Sequence, residues 1–553
     1  MAPRLSIMTM WMVLLVLCFG SSIFAWCAEA TSSYRAATTM HYPIFPSTNA
    51  TPRNVHVANL LKYTTLVQTA FAGAADIIVF PESGTGYLMV PDAEIQSFCE
   101  PMPPVGWASD DCPFNKADAF DESRLRQYLE APSDFVHARW GSCAAQVYRM
   151  DIVFNFGFYD IISGHYYNAN AVFRASSGIL LAIYRKSHIN AVPFLTQPAT
   201  PDHVMFVSSF GVSFGMGVCY DLWFHEPWEA EMRRANVTDF VYPNGMASLA
   251  PLETIDQLHA GFSLVHDVNF ISSALFSTGG AGAFHRGQPL QINPIMPFLA
   301  TPSNVIVTEV PIIDSHRHPS TMPSRLVGSR RRDDDEHAVT ISGQRCFNGS
   351  ASCAVFDTSR APVTVTLEAS YEGPFGNVSC TAVVVTNSTS NQTWMLAAAQ
   401  LDMVPSSPRT PDANEAAFCI VMQCADVEVG CPFGAPIPSL WTSDLRVSSV
   451  SVSATFGGGF SNASDVLFFP IYGLVDAMTS SSAGNSTTPN ATTLFPLTFP
   501  PVDSSVYASR PAGSGSPFVM IMDGPGVSDN FLFSAGIYVA KKGSTYHPEQ
   551  RDV

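Results

Sequence analysis

Hydrophobic and polar positions follow two different patterns along the chain. Up to about residue 313, short apolar runs rich in β-branched residues are interleaved with helix-like segments. Val55 to Ala72 has the spacing of an amphipathic helix, and Asp76 to Phe80 is typical of a short buried strand. Further strands are predicted at Ile152–Phe158, Ala171–Arg174, Leu180–Tyr184 and Gly211–Val218. Strands interleaved with helices predict an α/β layer fold.

The pattern becomes strand-like throughout after residue 338. Val363 to Leu367 and Val450 to Phe456 alternate between apolar and polar residues, and turn residues recur at short spacing. This predicts an all-β domain over residues 339–545. Before it, residues 316–338 contain the densest charge run, Arg330 to Glu336, which indicates an exposed linker. The paired basic residues of that run leave a processing site open as an alternative.

The first 30 residues have the features of a signal peptide. An apolar segment from Ile7 to Ala25 follows Arg4, and Ala28 and Ala30 fit the small-x-small pattern of a cleavage site. An uncleaved signal anchor is the alternative, because the segment is nearly long enough to span a bilayer. The chain closes with a polar run, Lys541 to Val553, so we expect no C-terminal anchor.

Glycosylation sequons support export. Asn-x-Ser/Thr occurs at Asn49, Asn236, Asn348, Asn377, Asn387, Asn391, Asn462, Asn485 and Asn490. Most of them lie after residue 340, where glycans would solubilise a weakly charged surface. We therefore expect a secreted or lysosomal glycoprotein.

The cysteines point to the same compartment. Of twelve, Cys18 leaves with the signal peptide and Cys27 is expected to leave with it. The remaining ones are Cys99, Cys112, Cys143, Cys219, Cys346, Cys353, Cys380, Cys419, Cys424 and Cys431. Most should form disulfides in an oxidising compartment. If Cys219 is a free thiol, either one further cysteine is free or cleavage after Ala25 retains Cys27.

Composition narrows the class of protein. The 553 residues are 47% hydrophobic and 13% charged, which excludes global disorder. A net charge of −18 argues against nucleic acid as a partner, because phosphate binding needs clustered cations. The spacing of His225, His259, His285, His316 and His318 is not that of a metal site, and we interpret them as structural or surface residues. No metal and no other cofactor is expected.

Three reactive side chains follow predicted strands of the first domain. Glu82 comes just after the predicted strand Asp76 to Phe80. Lys186 is the last residue of the segment that begins at Leu180, and Cys219 is the last residue of the segment that begins at Phe214. Catalytic groups of layered α/β proteins lie at the carboxyl ends of strands. Each residue alone also has a structural explanation: a capping glutamate, a surface lysine, and a buried or disulfide-bonded cysteine.

Taken together, these segments resemble the nitrilase (carbon–nitrogen hydrolase) superfamily. The resemblance lies in FPES around Glu82, YYNANAVFRASSGILLAIYRKSHI around Lys186, and GVCYDLWFHEP around Cys219. It implies a four-layer α-β-β-α sandwich over residues 31–315, followed by the smaller all-β domain. The chain is most similar to the vanin and biotinidase branch, whose members are secreted glycoproteins with a β-rich base domain. Residues 418–424 and 467–472 resemble base-domain segments.

The resemblance also implies catalytic roles. Cys219 would be the nucleophile, with its thiolate favoured by Lys186 and by the helix that follows. Glu82 would act as general base and then as general acid. Lys186 and the backbone N–H of Tyr220 would stabilise the oxyanion. Asp160 could position the lysine or be a loop residue, and Asp221 would fix the turn after the nucleophile.

These features predict a thiol amidohydrolase that cleaves a linear carboxamide of a small vitamin-type metabolite. Pantetheine comes first and biotin amides close behind. Tyr242 to Ala247 lacks the tryptophan that many relatives place in this segment of the acyl pocket, so the choice between the two substrates stays open. The alternatives are a nitrilase or other amidase of the superfamily, and a catalytically silent recognition glycoprotein. We expect a monomer whose partner is a small amide, with no nucleic-acid partner and no membrane attachment after signal cleavage.

Overall fold

The computed structural model describes a nearly continuous first region and a set of strands after it. The described residues are 32–45, 50–114, 121–189, 192, 194–224, 226–228, 231–232, 237–246, 255–276, 279–293 and 303–313, and then the strands between 338 and 541 given below. The predicted signal peptide lies outside them, as does the predicted linker except for its last residue. Among these described residues, no helix is both long and apolar enough to cross a bilayer.

The described residues of the first region form four helices, two short 3-10 helices and twelve strands. The helices are α1 (Pro52–Ala72), α2 (Glu122–Glu130), α3 (Val136–Tyr148) and α4 (Ile255–His266), with 3-10 helices at Asp92–Phe98 and Cys219–Trp223. The strands are β1 (Ser33–His41), β2 (Ile77–Val79), β3 (Asp151–Asp160), β4 (His165–Phe173), β5 (Leu180–Arg185), β6 (Met205–Val207), β7 (Ser213–Met216), β8 (Asp239–Asn244), β9 (Asn269–Leu275), β10 (Gly282–His285), β11 (Gln288–Ile292) and β12 (Asn304–Pro311).

The twelve strands form one sheet whose two halves meet at β1. The order is β5-β4-β3-β2-β1-β9-β8-β7-β6, with β12 beside β1 and β10 beside β9. The inner strands β3, β2, β1, β9, β8 and β7 run parallel to one another. β5 runs parallel to β3 because both pair antiparallel with β4. The carboxyl ends of β2, β5, β7 and β8 therefore lie at one edge.

Three apolar cores define the layers. Val79 and Val153 of one half of the sheet pack with Met216 and Val241 of the other half, so the halves face each other. The outer face of the first half packs against α1 and α3, and the outer face of the second half packs against α4. This is the α-β-β-α arrangement that the sequence predicted, with the mixed α/β class confirmed.

The C-terminal region consists of two further sheets. Its strands are β13 (Ala338–Ser342), β14 (Gln344–Cys346), β15 (Ala351–Asp357), β16 (Val363–Ser370), β17 (Asn377–Thr386), β18 (Thr393–Met403), β19 (Asn414–Gln423), β20 (Val447–Phe456), β21 (Val466–Val475), β22 (Leu497–Thr498), β23 (Ser505–Ser509), β24 (Phe518–Asp523) and β25 (Phe531–Lys541). One sheet has the order β13-β16-β17-β20-β24-β23, and the other β14-β15-β18-β19-β25-β21-β22. The all-β class predicted for this region is confirmed.

Two disulfides lie within the described residues. Cys112–Cys143 fastens the segment before α2 to α3, and Cys380–Cys419 joins the two C-terminal sheets. Cys99 and Cys219 are the free cysteines of the described part of the chain. Cys99 is thus free in addition to Cys219, while Cys27, on which the second of the two alternatives depends, lies outside the described residues.

Two predicted elements differ from the structure. β4 begins at His165, well before the predicted start at Ala171. The first part of the strand was missed because its buried asparagines interrupt the apolar pattern of a buried strand. Directly after Cys219, where a helix was expected, the chain forms the short 3-10 helix Cys219–Trp223. Of the nine sequons, the described residues include Asn377, which is exposed at the start of β17; the other eight lie outside them.

Candidate active site

The structure brings the three predicted catalytic side chains together at the carboxyl edge of the first sheet. Glu82 follows β2, Lys186 follows β5 and Cys219 follows β7. Lys186 Nζ donates to Glu82 Oε1 at 2.6 Å, and the Cys219 thiol lies in hydrogen-bond contact with the same carboxylate. All three side chains are buried, at 4–8% exposure. A carboxylate, an ammonium group and a thiol thus share one enclosed site.

Two neighbours fix the Glu82 carboxylate from opposite sides. The Asn168 side chain on β4 donates through Nδ2 to Oε1 at 2.7 Å. At Gly245, directly after β8, an added Cβ would lie 2.5 Å from Oε2. The glycine therefore leaves the space that the carboxylate occupies, and the asparagine orients it.

A network of buried asparagines connects this carboxylate to the nucleophile turn. Asn155 on β3 donates to the side-chain oxygens of Asn168 at 2.6 Å and Asn170 at 3.0 Å. Asn170 in turn donates to the Gly217 carbonyl at 3.3 Å. None of these asparagines was predicted from the sequence to belong to the site. Their signal is the i, i+2 spacing of Asn168 and Asn170, which places both on one face of a strand.

The backbone around Cys219 forms a tight, crowded turn. Cys219 itself has a positive φ of 44°, whereas the glycines before it serve close packing. An added Cβ at Gly217 would lie 2.0 Å from the Trp228 indole. The Tyr242 hydroxyl, on β8, donates to the Cys219 carbonyl. The glycines of this segment make room for neighbouring side chains, and Cys219 carries the unusual backbone angle.

Asp221 holds this turn to the end of β5. Its buried carboxylate accepts hydrogen bonds from the backbone N–H groups of Val218 and His188, each at 2.9 Å, and from the Tyr184 hydroxyl at 2.7 Å. These contacts place Asp221 as a support for the turn, away from the reacting group. Tyr220 is buried beside it in the 3-10 helix.

The charges of the site favour a neutral thiol beside an ion pair. Burial, followed by the Glu82 carboxylate, raises the pKa of the Cys219 thiol, and this outweighs the opposing effect of Lys186. Burial lowers the pKa of Lys186, but Glu82 and Cys219 raise it by more than burial lowers it. The pKa therefore lies above its usual value, and the ammonium stays protonated. Burial thus opposes the thiolate expected at Cys219, whereas Lys186 favours it as predicted.

Asp160 is not brought to the site. It ends β3 at an exposed turn, where its carboxylate accepts from the Ile162 N–H at 3.0 Å and the Ser163 hydroxyl at 2.7 Å. Its pKa is lowered by those same contacts, first by Ser163. Of the histidines considered, His259 is buried on α4 and His285 bonds Asn269, while His225, His316 and His318 lie outside the described residues.

The chain is similar to several known proteins. The family Carbon-nitrogen hydrolase matches residues 51–257. Biotinidase from Bos taurus is 28% identical over 39% of this chain and 40% of its own length, and pantetheinase from Bos taurus is 26% identical over 53% and 58%. The chain thus spans about half the length of the curated relatives it matches. Among solved structures, Saccharomyces cerevisiae Nit3, a member of branch 10 of the nitrilase superfamily, aligns with 16% identity, a TM-score of 0.40 and coverage of 54% of this chain and 98% of its own.

These findings identify the class of protein. The first region is a carbon–nitrogen hydrolase domain of the nitrilase superfamily. Within that superfamily, the chain is similar to biotinidase and pantetheinase, the proteins of the vanin/biotinidase-like branch.

Proposed function

We propose that the protein is a thiol amidohydrolase that cleaves a linear carboxamide through a thioester on Cys219. The observation that carries the proposal is the buried contact of Cys219 and Lys186 with the single carboxylate of Glu82. This is the set of groups that amide hydrolysis requires: a nucleophile, a proton carrier and an electrostatic stabiliser. All belong to the chain itself.

The neutral resting thiol sets the order of proton transfers. Glu82 removes the thiol proton as sulfur attacks the amide carbonyl carbon. The tetrahedral oxyanion is then stabilised by Lys186 and the backbone N–H of Tyr220, a contribution of about 3–4 kcal/mol per donor in comparable sites. When the C–N bond breaks, Glu82 returns the proton to the leaving amine. It then deprotonates water, which attacks the thioester, releases the acid and restores the thiol.

The substrate class rests on the relatives. Proteins named pantetheinase and biotinidase are both similar to this chain, so small amides of pantothenate or biotin are the proposed substrates, with pantetheine first. A silent recognition role is the competing proposal. It gives no reason for burying an ionised lysine and a glutamate beside a free thiol, which costs desolvation energy.

We further propose that the protein is exported and acts as a monomer. The N-terminal apolar segment, the sequons and the disulfides Cys112–Cys143 and Cys380–Cys419 support an oxidising compartment.

The test is amine release by the full-length protein produced in a secretory host. Wild type, Cys219→Ala and Cys99→Ala are offered pantetheine and biocytin in parallel. Cys99 is the matched control, because it is the other free cysteine of the described residues and lies outside the catalytic contacts. We expect turnover by wild type and Cys99→Ala that is lost in Cys219→Ala. Folded wild type that releases no amine from either substrate would refute the proposed substrate class.

A further inference from the structure

Two histidines and a glutamate from distant parts of the chain meet in the first region. His56 lies on α1, Glu100 follows the first 3-10 helix, and His137 lies on α3. One ligand atom from each residue lies within 4.8 Å of the other two. His56 Nδ1 is 3.3 Å from Glu100 Oε1, and His137 Nδ1 is in close contact with the same oxygen. Both imidazoles therefore present Nδ1 to a single carboxylate oxygen.

The cluster is enclosed. The side chains of His56, His137 and Glu100 are 5%, 1% and 12% exposed. Neither His56 Nε2 nor His137 Nε2 has a hydrogen-bond partner among the described residues. The second Glu100 oxygen accepts from the Val136 N–H at 2.6 Å, at the start of α3. Hydrogen bonding alone thus leaves two buried imidazoles to share one acceptor.

The nearest cation does not occupy the cluster. Arg53, one turn before His56 on α1, directs its guanidinium to the carbonyls of Leu129, Ala131 and Ser133. A different positive charge would therefore have to bridge His56 Nδ1, Glu100 Oε1 and His137 Nδ1.

We propose that His56 Nδ1, His137 Nδ1 and Glu100 Oε1 bind one divalent cation of the zinc class. Imidazole nitrogen with carboxylate oxygen is a donor set that zinc takes, with a fourth position for water. Tetrahedral bonds of about 2.0–2.1 Å separate neighbouring ligand atoms by about 3.3 Å, which is the separation of the His56 and Glu100 atoms; the His137 and Glu100 atoms lie closer together and would have to move apart on binding. The site has no short sequence motif, because Glu100 and His137 are 37 residues apart.

The cation has a structural part to play. Glu100 is also tied through its backbone to β3: its N–H donates to Gly157 and its carbonyl accepts from Tyr159, both at 3.0 Å. The metal would join α1, α3 and this strand edge. Asn155, at the head of the asparagine network behind Glu82, is two residues before Gly157. The site would therefore stabilise the part of the sheet that supports the catalytic carboxylate, without contact to the reacting groups.

Metal analysis of the full-length secreted protein tests the proposal. Wild-type protein is stripped with a chelator, reloaded with Zn²⁺, desalted and assayed by elemental mass spectrometry. We expect about one zinc per chain in wild type and in His285→Asn, and at least a tenfold lower content in His56→Asn/His137→Asn. His285 is the matched control, because it is a partly buried histidine that bonds Asn269 outside the cluster. Equal zinc in the double variant would overturn the assignment.

A second measurement needs no variant. Stripped wild type is melted with and without Zn²⁺, and with Co²⁺ as a spectroscopic probe. Zinc that binds only the folded state must raise Tm with increasing concentration, and cobalt should give the visible absorption of a tetrahedral nitrogen–oxygen site. An unchanged Tm together with less than one-tenth of an equivalent of bound metal would refute the site, leaving Glu100 as a hydrogen-bond acceptor for two histidines.

Discussion

At the scale of single residues, the site depends on one carboxylate held in place by its neighbours. Glu82 contacts Lys186, Cys219 and Asn168 at once, and Gly245 leaves room for its second oxygen. The sequence motifs identified Glu82, Lys186 and Cys219. Asn168 was hidden because an asparagine within a strand carries no local signature; only its burial and its partner reveal its part.

Replacing Asn168 tests how far orientation of Glu82 contributes to turnover. Asn168→Ala removes a hydrogen bond to a charged group, so we expect kcat to fall about 10- to 100-fold while the melting temperature changes less. Asn54→Ala, an exposed amide on α1, serves as the control and should keep wild-type kcat. An Asn168→Ala protein with full kcat would show that Glu82 needs no such support.

Two glycines near the site should respond differently to the same change. Gly245→Ala places a methyl group against Glu82, so we expect a loss of activity of at least tenfold with the fold retained. Gly217→Ala meets the Trp228 indole, and overpacking there should reduce the free energy of unfolding by about 1–3 kcal/mol. Urea unfolding and amine release on both variants separate the effects. Equal behaviour of the two variants would contradict this distinction.

At the scale of elements, the nucleophile turn is held by buried polar groups as well as by apolar packing. Asp221 joins the turn to the end of β5, and Trp228 donates to the Asp221 carbonyl at 2.8 Å. Glu231 reaches back to β7, where its Oε2 accepts from the Met216 N–H at 3.2 Å. Its other oxygen is buried with no partner among the described residues.

Glu231 should make stability depend on pH. Burial raises its pKa to about 9, against the opposing backbone N–H groups of Met216 and Val204. A carboxyl group whose pKa is raised on folding favours the folded state most below its unfolded pKa, and that contribution is lost as pH rises toward 9. Glu231→Gln is neutral at every pH, so its Tm relative to wild type should increase by several degrees between pH 5 and pH 8. Parallel Tm profiles would contradict the raised pKa.

The elements also show where sequence reasoning stops. Strong apolar runs located β2, β5 and the core of β3, and the spacing of α1 was recognised to within three residues of its start. The first half of β4 was missed because its inward positions are asparagines that satisfy one another. The positive φ at Cys219 and the meeting of His56, Glu100 and His137 depend on tertiary contacts, which a single sequence does not encode locally.

At the scale of the whole molecule, the hydrolase domain and the C-terminal sheets share apolar contacts. Leu258 and Phe262 of α4 belong to the same continuous core as Phe418 and Val452 of the C-terminal strands. The catalytic groups lie at the edge of the first sheet, and Cys380–Cys419 lies within the C-terminal pair of sheets. The disulfide thus joins sheets other than the one that carries the catalytic groups, so its loss should lower stability more than it affects the chemistry at Cys219.

Removing the inter-sheet disulfide tests this separation. Cys380→Ala/Cys419→Ala opens a loop spanning 39 residues, which should cost about 3–4 kcal/mol of unfolding free energy. We expect an earlier calorimetric transition with amine release at 25 °C retained in the folded fraction. If specific activity falls with the disulfide while the protein remains folded, the C-terminal sheets act on the site directly.

The proposed mechanism requires a covalent thioester at Cys219. Wild-type protein is mixed with pantetheine, quenched in acid within one turnover and digested for peptide mass mapping. We predict the mass of the pantothenoyl group on the peptide that contains Cys219, and its absence from Cys219→Ala. An acyl group found on Cys99 instead, or rapid turnover without any acylated cysteine, would contradict the proposed nucleophile.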